Sequence, residues 1–236
     1  MINSCVIGLS KIGQIHCKNL IKLKKTVLTH VYDKNFKLSN KIAKKFRCKN
    51  SKNFDQLLKK NIKLFIIASP TTTHEYYIEK LTRHNKIIYC EKPILNNNNN
   101  LNKIIELIKK KNIKFCVGLN RRFSKEYLAL KKRITRKKIK IIQITSKSAN
   151  HDIRLSLRNG GLFFDKGFHF FDLACWLGDS LPSKMIVIAK PISTNKFLRY
   201  GDFSDAAINM RLKNGVNVKL VFSRKCRTGN VETIQI

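Results

Sequence analysis

The chain has 236 residues, 43% of them hydrophobic, enough for one large packed core or two small ones. Its formal net charge is +35, and its seven cysteines are scattered, odd in number and free of any C-x-x-C spacing, which argues against a disulfide frame and against a zinc site. No apolar run reaches the length of a bilayer span, and the N-terminus lacks the cationic lead and long apolar segment of a signal peptide, so a cytoplasmic protein off the membrane is expected.

Along the chain, "SCVIGL" (4–9) is a short apolar strand ending in glycine. "KIGQIHCKNLIKLKK" (11–25) carries Ile12, Ile15, Leu20 and Leu23 at roughly helical spacing and predicts a helix. "TVLTHVYD" (26–33) predicts a strand, "FKLSNKIAKKF" (36–46) a helix, and "IKLFIIAS" (62–69) a β-branched strand with Ser69-Pro70 as its turn. Then come helix 73–85, strand 86–90 closed by "EKP", helix 101–112 and strand 113–119. Strand and helix alternating with short joins imply a Rossmann-type, doubly wound parallel sheet over residues 1–120. Past residue 121 the rhythm changes. Helices near 124–133 and 165–177 mix with strands at 139–147, 184–190, 205–212, 216–223 and 231–236, which predicts an α+β domain (121–236) with a mainly antiparallel sheet.

The charge has two readings. Dense Lys and Arg release counterions from a phosphate backbone. Here, however, Lys, Asn and Ile are over-used together, as A+T-rich codons would produce, and the basic residues are dispersed. The densest segment, "KKRITRKKIK" (131–140), has no interleaved aromatic, so no specific nucleic-acid partner is expected.

The first strand-to-helix join, "GLSKIG" (8–13), holds Gly8 and Gly13, but its middle position is Ser10, where a dinucleotide site prefers glycine. A Cβ there narrows the gap between backbone and phosphate. Asp33 ends the next strand about twenty residues after Gly13, where a carboxylate can bind a ribose diol. It would repel a 2′-phosphate and so favours NAD over NADP, with Lys34 beside it softening the preference. The joins "ASPTTTHEYY" (68–77) and "CEKPI" (90–94) follow strands of the same sheet, and ligands of such sheets bind outside the carboxyl ends of the strands.

"GGLFFDKGFHFFD" (160–172) sets two Asp and one His among five Phe. In a helix over 165–177, Asp165, His169, Asp172 and Trp176 form one stripe. Phe164, Phe168, Phe171 and Cys175 form the next, expected to be core, with the polar stripe facing a cleft. An alternative stays open: Asp165 suits the dipole at a helix start, with His169 satisfied one turn on.

"GLSKIGQIHCKNL", "FIIASPTTTHEYYIEKL", "KIIYCEKPI", "CVGLNRRF" (116–123) and "GGLFFDKGFHFFDLACWLG" (160–178) together resemble the Gfo/Idh/MocA oxidoreductase family, and within it the inositol 2-dehydrogenases. The resemblance runs from residue 2 to the end. It implies NAD as cofactor, held by Gly8, Ser10, Lys11, Ile12, Gly13, Asp33, Ser69, Pro70, Thr71, His74, Glu91 and Lys92. It implies catalysis by Lys92, Asp165 and His169, and polyol contacts from Asn120, Arg122, Asn159, Asp165, His169 and Asp172. The implied reaction is oxidation of a polyol's secondary alcohol, myo-inositol to its 2-keto product. His169 would take the proton, its reference pKa being about 6.5. Asp165 would hold the imidazole and Lys92 would stabilise the alkoxide. No metal is needed, since the nicotinamide carries the hydride.

Relatives of the family usually continue further, so the second domain is expected to be incomplete, and the homo-oligomer usual in the family is doubtful. Two other functions stay open: a shortened, weak or inactive relative that still binds dinucleotide or a partner, and a basic nucleic-acid-binding protein.

Overall fold

The computed structural model describes all residues except 96–99, 136–137, 149–152 and 159. The chain divides into two compact units, Met1–Gly118 and Leu119–Ile236.

In the first unit, strands β1 (Ile2–Ile7), β2 (Thr26–Tyr32), β3 (Lys49–Asn50), β4 (Leu64–Ile67), β5 (Ile87–Cys90) and β6 (Phe115–Val117) alternate with helices α1 (Lys11–Lys22), α2 (Phe36–Phe46), α3 (Phe54–Leu58), α4 (His74–Arg83) and α5 (Leu101–Lys110). All strand pairs are parallel, in the order β3-β2-β1-β4-β5-β6. Strand order reverses at β1, and a crevice for a ligand opens at such a point. Both faces of the sheet are buried, and side chains alternate between them. Cys5 and Ile7 of β1 join Phe65, Ile67, Ile78 and Ile104 in one core, whereas Val6 joins Cys17, Leu20, Ile42 and Ile66 in the other. Asn35 and Asn53 cap α2 and α3 by accepting from the N–H groups of Leu38 and Asp55. In α1, Ile12, Ile15 and Leu23 are exposed, and the face turned inward is Gly13, Cys17 and Leu20. Of the expected apolar series only Leu20 is on the buried face; the small residues Gly13 and Cys17 complete it and let the helix lie close on β1.

The second unit holds α6 (Lys125–Ile134), β7 (Ile141–Lys147), α7 (Ile153–Arg158), α8 (Phe168–Gly178), β8 (Pro182–Lys190), β9 (Asp205–Leu212), β10 (Asn217–Ser223) and β11 (Val231–Gln235). Its sheet runs β11-β7-β10-β9-β8. Three of its pairs are antiparallel and β7–β10 is parallel, so the sheet is mixed and mainly antiparallel. Burial alternates along β7, β9 and β10, as expected for a sheet with one face on a core. That face receives α8 through Phe170, Leu173, Ala174 and Leu177, and Phe170 lies 5.8 Å from Phe222.

The expected helix over 165–177 is not uniform. Residues Leu162–Gly167 form a π-helical turn that runs into α8. A π turn takes one more residue per hydrogen-bonded ring than an α turn, which shifts the phase of the side chains before it. Phe164 is exposed, Phe168 and Phe171 are half-buried, and the core stripe of α8 is Phe170, Leu173, Ala174 and Leu177; of the expected aromatic series only Cys175 is fully in the core. No helix among the described residues is long and apolar enough to cross a membrane.

Candidate active site

The carboxyl ends of β1, β2, β4 and β5 carry most of the residues expected at a cofactor. Gly8 follows β1 with φ +85°, a conformation that a side chain strains, and a Cβ there would run into the backbone of Ser69. A Cβ on Gly13 would meet the carbonyl oxygen of Gly8. The two glycines thus close the β1–α1 turn tightly against the loop after β4. Ser10, by contrast, has φ −62° and is exposed, so the middle position tolerates its Cβ without strain. Neither the Ser10 hydroxyl nor any acidic residue caps the first turn of α1, where Lys11 and Ile12 are exposed. An uncapped helix start of this kind suits a diphosphate.

Asp33 follows β2 and is half-buried. Its Oδ2 accepts from the N–H of Leu9 at 2.8 Å and its Oδ1 from that of Asn35 at 2.9 Å. The carboxylate is therefore fixed beside the glycine turn, with lone pairs left for a diol. Donors, glycines and carboxylate together fit an adenine dinucleotide.

The loops after β4 and β5 are tied to one another by His74. It is 1% exposed, and its ring nitrogens lie 2.9 Å from the Ser69 carbonyl and 3.0 Å from the Pro93 carbonyl. Burial pushes its pKa below the ordinary histidine value, so near neutral pH the ring is uncharged and donates to one of the two. His74, expected at the cofactor, is buried here and ties together the loops carrying Ser69, Pro70 and Thr71. Ser69 Oγ and Thr73 Oγ1 are bonded at 2.7 Å. Glu91 N–H donates to the Ile67 carbonyl, and its carboxylate pairs with His16 on α1 at 2.7 Å. The Glu91 side chain is thus engaged within the unit, and Lys92, half-buried, follows it.

In the second unit, Asn120, Arg121 and Arg122 lie on the 3-10 turn Asn120–Phe123. Arg122 Nε donates to Asp172 Oδ2 at 2.8 Å, with a second, shorter bond from Nη2 to Oδ1. Arg122 and Asp172, both expected at the polyol, thus meet each other and clamp the turn to α8. Asn120 is exposed, and Asn159 lies outside the described residues. Asp165 in the π turn and His169 in the first turn of α8 are half-buried and line one cavity of about 190 Å³. Arg121, Ser146, Lys147, Ser148, Lys166, Phe170, Asn230 and Glu232 complete its wall. Arg121 stacks 4.2 Å over the Phe170 ring and forks onto Glu232 with two bonds of 2.6 Å. The structure therefore groups Asp165 with His169, while Lys92 belongs to the first unit.

Sequence reasoning passed over His16, Arg121 and Lys166. His16 carries no local signal, its partner being 75 residues away. Lys166 did carry one, since a lysine among five phenylalanines is itself anomalous.

Comparison with known proteins agrees with this fold. Residues 2–119 match the model of the Gfo/Idh/MocA oxidoreductase family, NAD-binding Rossmann fold, and residues 138–236 match the C-terminal domain of the same family. The chain is 26% identical over 237 residues to myo-inositol 2-dehydrogenase of Thermotoga maritima, covering 98% of this chain and 71% of that protein. It is 26% identical over 236 residues to inositol 2-dehydrogenase of Rhizobium meliloti, with the same two coverages. The crystal structure of a putative myo-inositol dehydrogenase from Sinorhizobium meliloti superposes with a TM-score of 0.92 at 25% identity, over 99% of this chain and 72% of the other.

Proposed function

This chain belongs to the Gfo/Idh/MocA oxidoreductase family, and from that premise we propose that it oxidises a ring hydroxyl of an inositol-like polyol to the ketone. Its N-terminal unit is an NAD-binding Rossmann domain. Bound NAD supplies the hydride acceptor.

The chain's own residues do the rest. Gly8 and Gly13 keep side chains out of the β1–α1 turn, so the N–H groups of α1 receive the diphosphate. Asp33, fixed by the Leu9 and Asn35 amides, accepts from the adenosine ribose. His169 takes the hydroxyl proton on a ring nitrogen as the C–H bond gives up its hydride. Asp165 orients the imidazole and the polyol, and the Lys92 ammonium stabilises the developing alkoxide. Arg122 and Asp172 act by holding the 120–123 turn against α8. Both reactants are small soluble molecules, which suits a cytoplasmic enzyme.

The observation that carries the reading is the cavity shared by Asp165 and His169 in a unit whose relatives act on inositol. The test is turnover of a panel of inositols and sugars with NAD, followed by the absorbance of the reduced nicotinamide. Reduction with an inositol supports the reading. Tight NAD binding with no turnover across the panel replaces it with a dinucleotide-binding, inactive relative.

A further inference from the structure

Lys166, next to Asp165, has no part in the chemistry above, yet its side chain is buried at 8% exposure. An ammonium out of water needs a carboxylate or several hydrogen bonds to offset its lost hydration. Its Nζ donates to Ser148 Oγ at 2.5 Å and to the Ser223 carbonyl at 2.9 Å, both neutral acceptors. Among the described residues no carboxylate lies within ion-pair distance of it. Asp165, Glu232 and the Cys226 thiol act on it only through space, and Arg224 opposes them. Glu232 is already matched by Arg121, and Arg224 by Asp202 at 2.7 Å. Burial with this thin compensation pushes the Lys166 pKa down to about 8.

An ammonium has three N–H donors, and two are used among the described residues. Lys166 is in the wall of the cavity that holds Asp165 and His169, with Ser146 and Ser148 beside it and the exposed Lys147 at its edge. With Glu232 matched by Arg121, the two lysines outnumber the cavity's other carboxylate, Asp165.

We propose that this wall is an anion subsite, in which Lys166, Lys147, Ser146 and Ser148 hold a phosphate or carboxylate group carried by the polyol substrate. The proposal rests on the polyol-oxidising reading above and narrows its substrate class to acidic polyols. Charge-assisted bonds to a fixed ammonium are the strong kind.

The first arm of the test uses inorganic phosphate alone, titrated calorimetrically into the intact protein. Lys166→Met should weaken binding by about tenfold or more, the loss of one charged hydrogen bond, while Lys166→Arg retains it. Phosphate held in the N-terminal unit is the same in all variants and cancels. Phosphate should also raise the pKa of Lys166, read from labelled lysine side chains by NMR, because an anion favours the charged form. Equal phosphate binding by wild type and Lys166→Met overturns the proposal. Should Lys166→Met fail to fold, Ser148→Ala takes its place: weaker phosphate binding supports the subsite, and unchanged binding overturns it. The second arm compares kcat/KM for myo-inositol, an inositol monophosphate and glucuronate. The acidic-to-neutral ratio should exceed one in the wild type and collapse in Lys166→Met, and the better acid identifies phosphate or carboxylate. A wild-type ratio below one overturns the subsite. Should no polyol be oxidised while phosphate binding still depends on Lys166, the subsite stands and the oxidation reading has failed.

Discussion

His16 on α1 and Glu91 at the tip of β5 are bonded through Nε2 and Oε1 at 2.7 Å. The His16 ring also meets Tyr89 edge-on at 5.2 Å, and a Cβ on Gly118 would come within 3.0 Å of Glu91 Oε2. The carboxylate that precedes Lys92 is therefore held by a hydrogen bond and by close packing. Glu91→Ala should cost about 1 kcal/mol by leaving His16 without its partner, measured by urea unfolding. It should also lower kcat, because the turn carrying Lys92 loses its tether. Glu91→Gln keeps a hydrogen bond and should fall between the two.

Gly8→Ala places a side chain at φ +85° and against the Ser69 backbone. It should destabilise the protein by about 1–3 kcal/mol and weaken NAD binding. Ser10→Gly relieves no strain, since Ser10 already has a negative φ, and should move stability by only a few tenths of a kcal/mol. Thermal unfolding and fluorescence titration of both variants check this pair.

Asp33 stands beside the glycine turn with both oxygens fixed by backbone amides. NAD should bind several-fold tighter than NADP, because the carboxylate repels a 2′-phosphate. Asp33→Asn should narrow that difference. Equal affinities in the wild type would mean that Lys34 or Lys37 dominates the site.

His169→Ala should lower kcat by about 10² to 10⁴ with little change in NAD affinity, as expected for a positioned base. Lys92→Ala should cost about 10² to 10³, in line with a lost oxyanion donor. The double variant should lose less than the product of the two. A folded His169→Ala protein with full activity would sink the assignment.

Lys166 gives stability a pH dependence of known sign. Its folded pKa of about 8 is below the ordinary 10.5. Between those values the unfolded chain binds the extra proton and the folded chain does not, so stability rises with pH across the window. Below about 8 the ammonium stays buried and its cost is fully present. The wild type should therefore gain on Lys166→Met from pH 8 upward, followed by denaturant unfolding at several pH values. A flat difference would show that Lys166 titrates as in water.

The sequence by itself determined most of the order of elements in the first unit, because the longer ones are specified locally: β-branched runs make the strands, and Gly8 turns the chain after β1. The short β3 and α3, and the Asn35 and Asn53 caps, became visible only in the structure. The sequence also determined which kinds of chemistry the chain carries: a glycine turn, an acidic residue ending the second strand, and an Asp and a His in one aromatic segment. Only the tertiary structure decided which of these groups are buried and which meet one another. Arg122 and Asp172 are 50 residues apart and clamp each other. His74 lies buried between two loops, and the sheet that α8 packs on makes Phe170, not Phe168 or Phe171, the core phenylalanine. The parallel β7–β10 pair inside a mainly antiparallel sheet is likewise set by long-range pairing. The physical reason is that an ionic or hydrogen-bonding group acts according to its distance from a partner and its depth from water. Both quantities are set by chain segments far away in sequence, and no local window of residues contains them.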